Sequence, residues 1–312
     1  MTEYDGILLC NKPFGVSSHD VMAELKRIMM QTRIGHTGTL DPRATGLLVV
    51  CVGRATKIAQ FLSEIDKTYE AEIKLGISSP TYDGEGVADD AETKAVPPLT
   101  EAELRDILSE YKGTIKQKVP AYSAVKVQGQ RLYKMARQGL KFDTPEREVE
   151  IERINLVKMN LPYFTFSVQC SKGTYIRTLA NDIGERIGCG AYLHALVRTG
   201  VGNFNIKDAL TPNEIKYYRE AGTLKRYLKP IEEVLNFPAI RVHENFAQAI
   251  ISGKSPHLKD VVNIYGEFKA DQYISLMDHM GRIMAVGKAG VDSQTLRGQE
   301  PKNFFTYVRV LN

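Results

Sequence analysis

The sequence predicts an α+β chain with one large unit and a smaller, mainly β unit at its C-terminal end. Three observations carry that expectation. Short apolar runs of strand length stand between polar turns, the plainest at residues 47–52. Apolar stripes at helical spacing stand apart from them, at residues 21–29, 104–111 and 176–187. After Pro230 the pattern changes, and β-like runs dominate to the end of the chain. A chain of 312 residues, 43% of them hydrophobic, has the length for a large core and a second, smaller one.

Composition narrows the class. The opening stretch MTEYDGILLCNKPFG carries charge at once and lacks a basic segment followed by a long apolar one, so it does not read as a signal peptide. No apolar run approaches the roughly 18 residues needed to span a membrane. The expectation is a soluble, cytoplasmic protein with no membrane partner. Cys10, Cys51, Cys170 and Cys189 form no CxxC pair and read as buried thiols. The six histidines lack metal-site spacing. No metal and no cofactor are expected. The net charge of +4 is modest, but residues 111–141 hold eight Lys/Arg and no acid, with Tyr111, Tyr122 and Tyr133 interleaved. Such a strip suits a polyanion whose bases can stack, that is, nucleic acid.

In chain order, residues 6–10 read as a strand and residues 11–15 as a turn. Ser17 or Ser18 caps a helix with Val21, Met22, Leu25, Ile28 and Met29 on its apolar stripe. Residues 35–50, GHTGTLDPRATGLLVV, join a glycine-punctuated loop to a buried strand. Pro42 pushes Asp41 towards an extended backbone, and a strand buried on both faces gives that loop a rigid base. A loop and a helix carrying Lys57 follow. From Lys67 a strand alternates Tyr69, Ala71, Ile73 and Leu75 with Glu70, Glu72 and Lys74, which puts Tyr69 on the buried face. Residues 80–98, with Asp83, Glu85, Asp89, Asp90 and Glu92, read as a solvated acidic loop. Thr100 and Glu103 form a capping box. After the basic strip, residues 149–158 and 163–170 are β-like. Thr174 is the expected N-cap of a helix with Ile176, Leu179, Ala180, Ile183 and Ile187 inward and Gly188 at its end. Arg177 then stands in the first turn, where the helix dipole opposes a cation by about 0.3–1 kcal/mol; so placed, it suggests an anionic partner. Thr211 and Glu214 form a second capping box with Pro212 at the first helical position. A short helix at 245–251, a hairpin of residues 274–277 and 283–286, and a strand at 304–310 close the chain.

Five spaced phrases resemble the TruB-type tRNA pseudouridine synthases, in family order and covering residues 6 to about 205. They are KPxGxxS around Lys12, GHTGTLDPRATGLL around Asp41, Lys67-x-Tyr69, CSKGTYIRT around Arg177, and CGAYLHALVRTGVGNF with Leu196 in its pocket-lining position. The resemblance implies a pseudouridine-synthase fold, with a mixed, largely antiparallel sheet flanked by helices and loops. It divides the chain into a catalytic domain at 1–235, with a basic RNA-gripping insertion at about 111–145, and a PUA-like RNA-binding domain at 236–312. The activity it implies is isomerisation of uridine 55 in the T loop of tRNA, by a stand-alone monomer with no obligatory protein partner.

By the same resemblance the catalytic residues are Asp41, Tyr69 and Arg177. Asp41 attacks C1′ or removes a sugar proton, Tyr69 packs on the target base, and Arg177 pairs with Asp41; a neighbouring cation favours the ionised form of a carboxylate. His36 inserts where the base departed. Lys12, Arg43, Lys57, Asp83, Tyr122, Lys126, Arg137 and Leu196 complete the expected RNA contacts. Val119 stands where the family commonly has the first of two prolines before Tyr122-Ser123-Ala124. Rival readings are a guide-RNA-dependent dyskerin-type subunit, a non-catalytic tRNA-binding protein, and a glycosidase-like hydrolase, for which no second acid has suitable spacing.

Overall fold

A computed structural model describes residues 4–88, 90–127, 129–140, 142–298 and 304–311; Asp89 of the acidic loop and Lys141 of the basic strip lie outside them. In chain order the main sheet takes β1 (Gly6–Lys12), β2 (Ile34–His36), β3 (Ala44–Val52), β4 (Lys67–Leu75) and β5 (Gly113–Lys118). A separate ribbon, β6 (Lys126–Val127) and β7 (Gln130–Arg131), interrupts it. The sheet resumes with β8 (Glu146–Asn160), β9 (Tyr163–Cys170), β10 (Ala191–Val201), β11 (Phe204–Asn205) and β12 (Leu228–Lys229). Its order is β12-β1-β3-β10-β4-β9-β8-β5, with β2 on β3 and β11 on β10. The β3–β10 pair is parallel and the other pairs are antiparallel, so the sheet is mixed and largely antiparallel.

The continuous apolar run of β3 has a direct cause. Leu47, Val49 and Cys51 face one core, and Leu48, Val50 and Val52 face another. Side chains alternate across a strand, so two covered faces require apolar residues at every position. α1 (Ser18–Met29) covers one of these faces, and its Val21, Met22, Leu25 and Met29 are buried there. Its N-cap is Ser17, in a capping box with Asp20. After β3 a 3₁₀ turn, Gly53–Ile58, leads into α2 (Ala59–Ser63). α3 (Glu101–Ser109) starts at the Thr100–Glu103 box. α4 (Leu132–Arg137) follows the ribbon, α5 (Ile176–Ile187) ends at Gly188 in the left-handed region, and α6 (Pro212–Glu220) starts at the Thr211–Glu214 box. α3 and α5 pack on β4, β8, β9 and β10 around Phe164, Phe166, Leu179 and Ile183.

α7 (Ile231–Val234) leads to a second sheet of β13 (Ala239–Val242), β14 (Val261–Tyr265), β15 (Tyr273–Met277), β16 (Ile283–Ala289) and β17 (Phe305–Val310), in the order β14-β13-β15-β16-β17. α8 (Glu244–Ile251) and α9 (Ser293–Gly298) accompany it. Ile283, Val286 and Leu311 join the core of Ile7, Leu47, Ile58 and Ile231, so the two sheets share apolar packing. All four cysteines are buried and free. Among the described residues no helix is long and apolar enough to cross a membrane.

One local expectation needs correction. The N-cap of α5 is Tyr175, not Thr174, whose hydroxyl instead donates to the Ser171 carbonyl. The basic strip begins within the sheet: β5 is an edge strand of the main sheet, paired with β8. Only the chain after Lys118 leaves the sheet.

Candidate active site

The loop before β3 is held at four points. Ser18, buried at the start of α1, donates its hydroxyl to the Leu40 carbonyl (3.0 Å) and accepts from the Leu40 N–H (2.9 Å). The Asp41 carbonyl accepts from the Ala44 N–H at 3.0 Å, closing a turn. The Pro42 carbonyl accepts from the Gly15 N–H at 2.9 Å and from Lys12 Nζ at 3.2 Å. Arg198 Nη2 donates to the Gly38 carbonyl at 2.9 Å. Asp41 therefore projects from a fixed backbone into an open cleft of about 380 Å³, a size typical of small-ligand sites. Its side chain is 53% exposed.

Four elements bring their residues to this cleft. Tyr69 comes from β4, Leu193 and Leu196 from β10, Arg177 from the first turn of α5, and Tyr122 and Ser123 from the segment after β5. Arg177 is buried between two carboxylates: Nη2 lies 3.8 Å from Asp41 Oδ2, and Nη1 lies 3.8 Å from Asp83 Oδ2. Its Nη2 also donates to the Tyr122 carbonyl at 2.8 Å, and its Nε has no hydrogen-bond partner. The helix dipole that disfavours this cation is thus offset by two anions. Asp83 is itself buried and fixed by Thr81 Oγ1 (2.6 Å) and the Glu85 N–H (3.0 Å). Asp41 is the open member of the trio.

Tyr69 sits at the rim of the large core beside Leu196. Burial pushes its phenol pKa up, and the neighbouring charge of Arg198 pulls against that rise. His36 ends β2 and is half-buried, with Nδ1 unpartnered. Burial foremost, then the charges of Arg198 and His19, lower its pKa. The ring is therefore neutral at pH 7. Arg43 is exposed two residues after Asp41, 5.5 Å over the Phe14 ring and against Gly84, and does not line the cleft. Lys126 is exposed on the ribbon, and Arg137 at the end of α4 lies 5.9 Å over the Tyr133 ring. Lys57, half-buried on the 3₁₀ turn, does not line the cleft.

Lys12 is placed otherwise than expected. It is 0% exposed, and its ammonium donates to Pro13 O (3.0 Å), Val16 O (2.7 Å) and Pro42 O (3.2 Å). An ammonium has three donors, so none is left for an RNA phosphate. Sequence reasoning missed two anchors. Ser18 stood as the alternative cap, and with Ser17 taking that task its hydroxyl is free for the loop. Arg198 was visible only as an arginine amid the apolar residues of the phrase CGAYLHALVRTGVGNF. Among the described residues no group of His, Cys, Asp or Glu could hold a metal ion.

Comparisons with known proteins give the family. Residues 26–176 match the TruB family pseudouridylate synthase N-terminal domain, and residues 177–236 match the tRNA pseudouridylate synthase B C-terminal domain. A protein named tRNA pseudouridine synthase B from Bacillus pumilus is 38% identical over 288 residues, covering 90% of this chain and 92% of the relative. One of the same name from Clostridium kluyveri is 42% identical over 252 residues, covering 80% and 85%. One from Opitutus terrae is 46% identical over 214 residues, covering 69% and 88%. Among solved structures, a Cbf5-Nop10-Gar1 complex matches with a TM-score of 0.75 at 24% identity, over 98% of this chain and 85% of that one. An H/ACA RNP bound to a substrate RNA containing 2′-deoxyuridine matches with a TM-score of 0.76 at 22% identity, over 98% and 85%. Those two likenesses establish the pseudouridine-synthase fold alone. With curated relatives 38–46% identical over most of their own length, this chain belongs to the TruB family of pseudouridine synthases.

Proposed function

We propose that this protein acts alone, in the cytoplasm, on the T stem-loop of tRNA and isomerises uridine 55 to pseudouridine. The observation that carries the reading is the open carboxylate of Asp41, fixed by its backbone and faced by Arg177 across a cleft walled by Tyr69 and Leu196. Removing the base from its stack costs a few kcal/mol, least where it is not in a regular duplex. The neutral ring of His36 fills the space it leaves. The N1–C1′ bond then breaks, and Asp41 acts at C1′ or on the neighbouring sugar proton. Tyr69 and Leu196 hold the freed uracil so that C5 can turn to C1′. Bond formation at C5 and proton transfer from C5 to N1 complete an isomerisation that consumes no co-reactant. Arg177 and Asp83 keep the carboxylate in place.

Residues 1–235 form the catalytic unit in this reading, and residues 236–312 form a PUA-like unit that binds RNA. The chain that leaves the sheet after Lys118 grips the substrate through Tyr122, Lys126 and Arg137. Arg43 and Lys57 add cations near the loop. Relatives that bear the name tRNA pseudouridine synthase B favour stand-alone action over a guide-dependent subunit.

The test uses an unmodified tRNA transcript, the protein alone, and its Asp41→Asn variant. Carbodiimide labelling and primer extension read the product. One stop next to position 55, lost in the variant, is expected. Tight tRNA binding with no stop from the wild type would overturn the reading in favour of a guide-dependent or non-catalytic protein.

A further inference from the structure

Arg198 lies beneath the cleft, 2% exposed. At its register position on β10 it faces Gly46 of β3 on one side and Tyr69 of β4 on the other. Gly46 has φ 103°, and a Cβ there would sit 2.4 Å from the Arg198 carbonyl oxygen. Glycine is what lets β3 close on this residue. The register of β10 against β4 shifts between Arg198 and Gly200, the kind of irregularity that re-aims a side chain. The guanidinium turns back under the loop, donating from Nε to the Leu47 carbonyl (2.7 Å) and from Nη2 to the Gly38 carbonyl (2.9 Å). Those two carbonyls bracket Asp41. The Tyr69 phenol is its neighbour on the third side.

The charge is unusual as well as central. Among the described residues, no carboxylate forms an ion pair with Arg198. A buried cation without a counter-ion is costly, and its field reaches Lys12, His36 and Lys67, whose pKa values it helps to lower. A structural staple between two carbonyls does not require a charge.

We propose that Arg198 is the positioning residue of this site, locking the Asp41 loop and the Tyr69 phenol into one rigid unit and placing an unneutralised positive charge beneath both. The proposal rests on the reading of Asp41 and Tyr69 as the reacting and stacking groups. Its two parts, the fork of hydrogen bonds and the charge, are separable. Arg198→Lys keeps the charge and loses the fork. Arg198→Met loses both.

Each full-length variant is titrated by NMR with ¹³Cζ-labelled tyrosine in the absence of RNA, with Tyr69→Phe assigning the Tyr69 signal. The same proteins are assayed at saturating tRNA transcript under single turnover, with Kd measured in parallel. In Arg198→Met the Tyr69 phenol is expected to titrate at higher pH than in wild type, because a cation that favours the phenolate is gone. Its single-turnover rate is expected to fall about 100-fold, the scale of a 1 Å misplacement, with Kd changed less than about threefold. In Arg198→Lys the Tyr69 titration stays close to wild type while the rate still falls. If Arg198→Met does not fold, that lysine pair of results decides alone. An unchanged rate per folded molecule in Arg198→Lys, or the same Tyr69 titration in wild type and Arg198→Met, would overturn the proposal. A wild type that forms no pseudouridine would instead sink the functional reading, while the Tyr69 titration, which needs no substrate, would still decide the charge.

Discussion

Replacing Lys12 with methionine separates anchoring the Asp41 loop from binding RNA. The ammonium makes three hydrogen bonds to backbone carbonyls, and methionine makes none. At about 1 kcal/mol net for each bond, the loss is about 3 kcal/mol. Part of this is recovered, because a buried charge is no longer held out of water. Burial foremost, and the charge of Arg198, lower the Lys12 pKa, while Asp41 opposes them. A net loss of about 2–3 kcal/mol remains, or about 5–10 °C in the unfolding midpoint. Below the folded pKa the wild type carries the burial penalty in full and sheds it as pH climbs towards the unfolded value of 10.5. The gap to the variant therefore widens on the alkaline side. Pro42 O keeps its bond from Gly15 N, so the loop loosens without being released. We expect the single-turnover rate per folded molecule to fall about 10-fold to 100-fold, with tRNA affinity unchanged. Calorimetry and a single-turnover assay well below the transition measure both. A weakened Kd at a wild-type rate would refute the reasoning and return Lys12 to the RNA.

Gly46→Ala should abolish activity and lower the unfolding midpoint sharply, because φ is 103° and the new Cβ would meet Arg198 backbone at 2.4 Å. Gly35→Ala, in the same phrase but with open space at its Cβ, is the matched control, and equal effects in thermal melts would discredit the packing argument. Asp182 on α5 has its pKa pushed up to about 6, chiefly by burial. Its protonated form favours the fold, a contribution lost as pH rises through about 6. Asp182→Asn should accordingly melt higher than wild type at pH 8 and about equally only below the ordinary value of 3.8, the gap opening between 3.8 and about 6; a gap that does not grow with pH refutes the assignment. Lys126→Gln with Arg137→Gln should weaken tRNA binding and reduce the salt slope by about one for each phosphate contact removed, leaving the rate at saturating tRNA intact. Unchanged binding isotherms across a salt series would show that these charges do not meet the RNA.

Much of the frame was legible because it is locally encoded. The box of Thr100 and Glu103 and the box of Thr211 and Glu214 started their helices where expected, and Ser17 closed the first with Asp20. The unbroken apolar run of β3 announced a strand with two covered faces, and Pro42 with its flanking glycines announced a held loop carrying Asp41. These signals lie within a few residues of what they specify. The α5 cap fell one residue off because Thr174 bonds backwards to Ser171, a choice between accepting from first-turn N–H groups and donating to a nearby carbonyl that local pattern does not rank.

Composition and spacing determined that this chain is α+β, that Asp41 stands at the mouth of a buried strand, and that Arg177 sits where a helix would rather not have a cation. Tertiary structure alone decided what those charges face. Arg177 lies between Asp41 and Asp83 because α5 is carried over the sheet to two loops far away in sequence. Lys12 spends its ammonium on carbonyls and not on phosphate because the turn after β1 folds under Pro42. Arg198 reaches Gly38 and Leu47 only because β10 inserts in parallel beside β3. A residue's type states which bonds it can make, whereas the partners it finds depend on strand order and register, which no local stretch of chain contains.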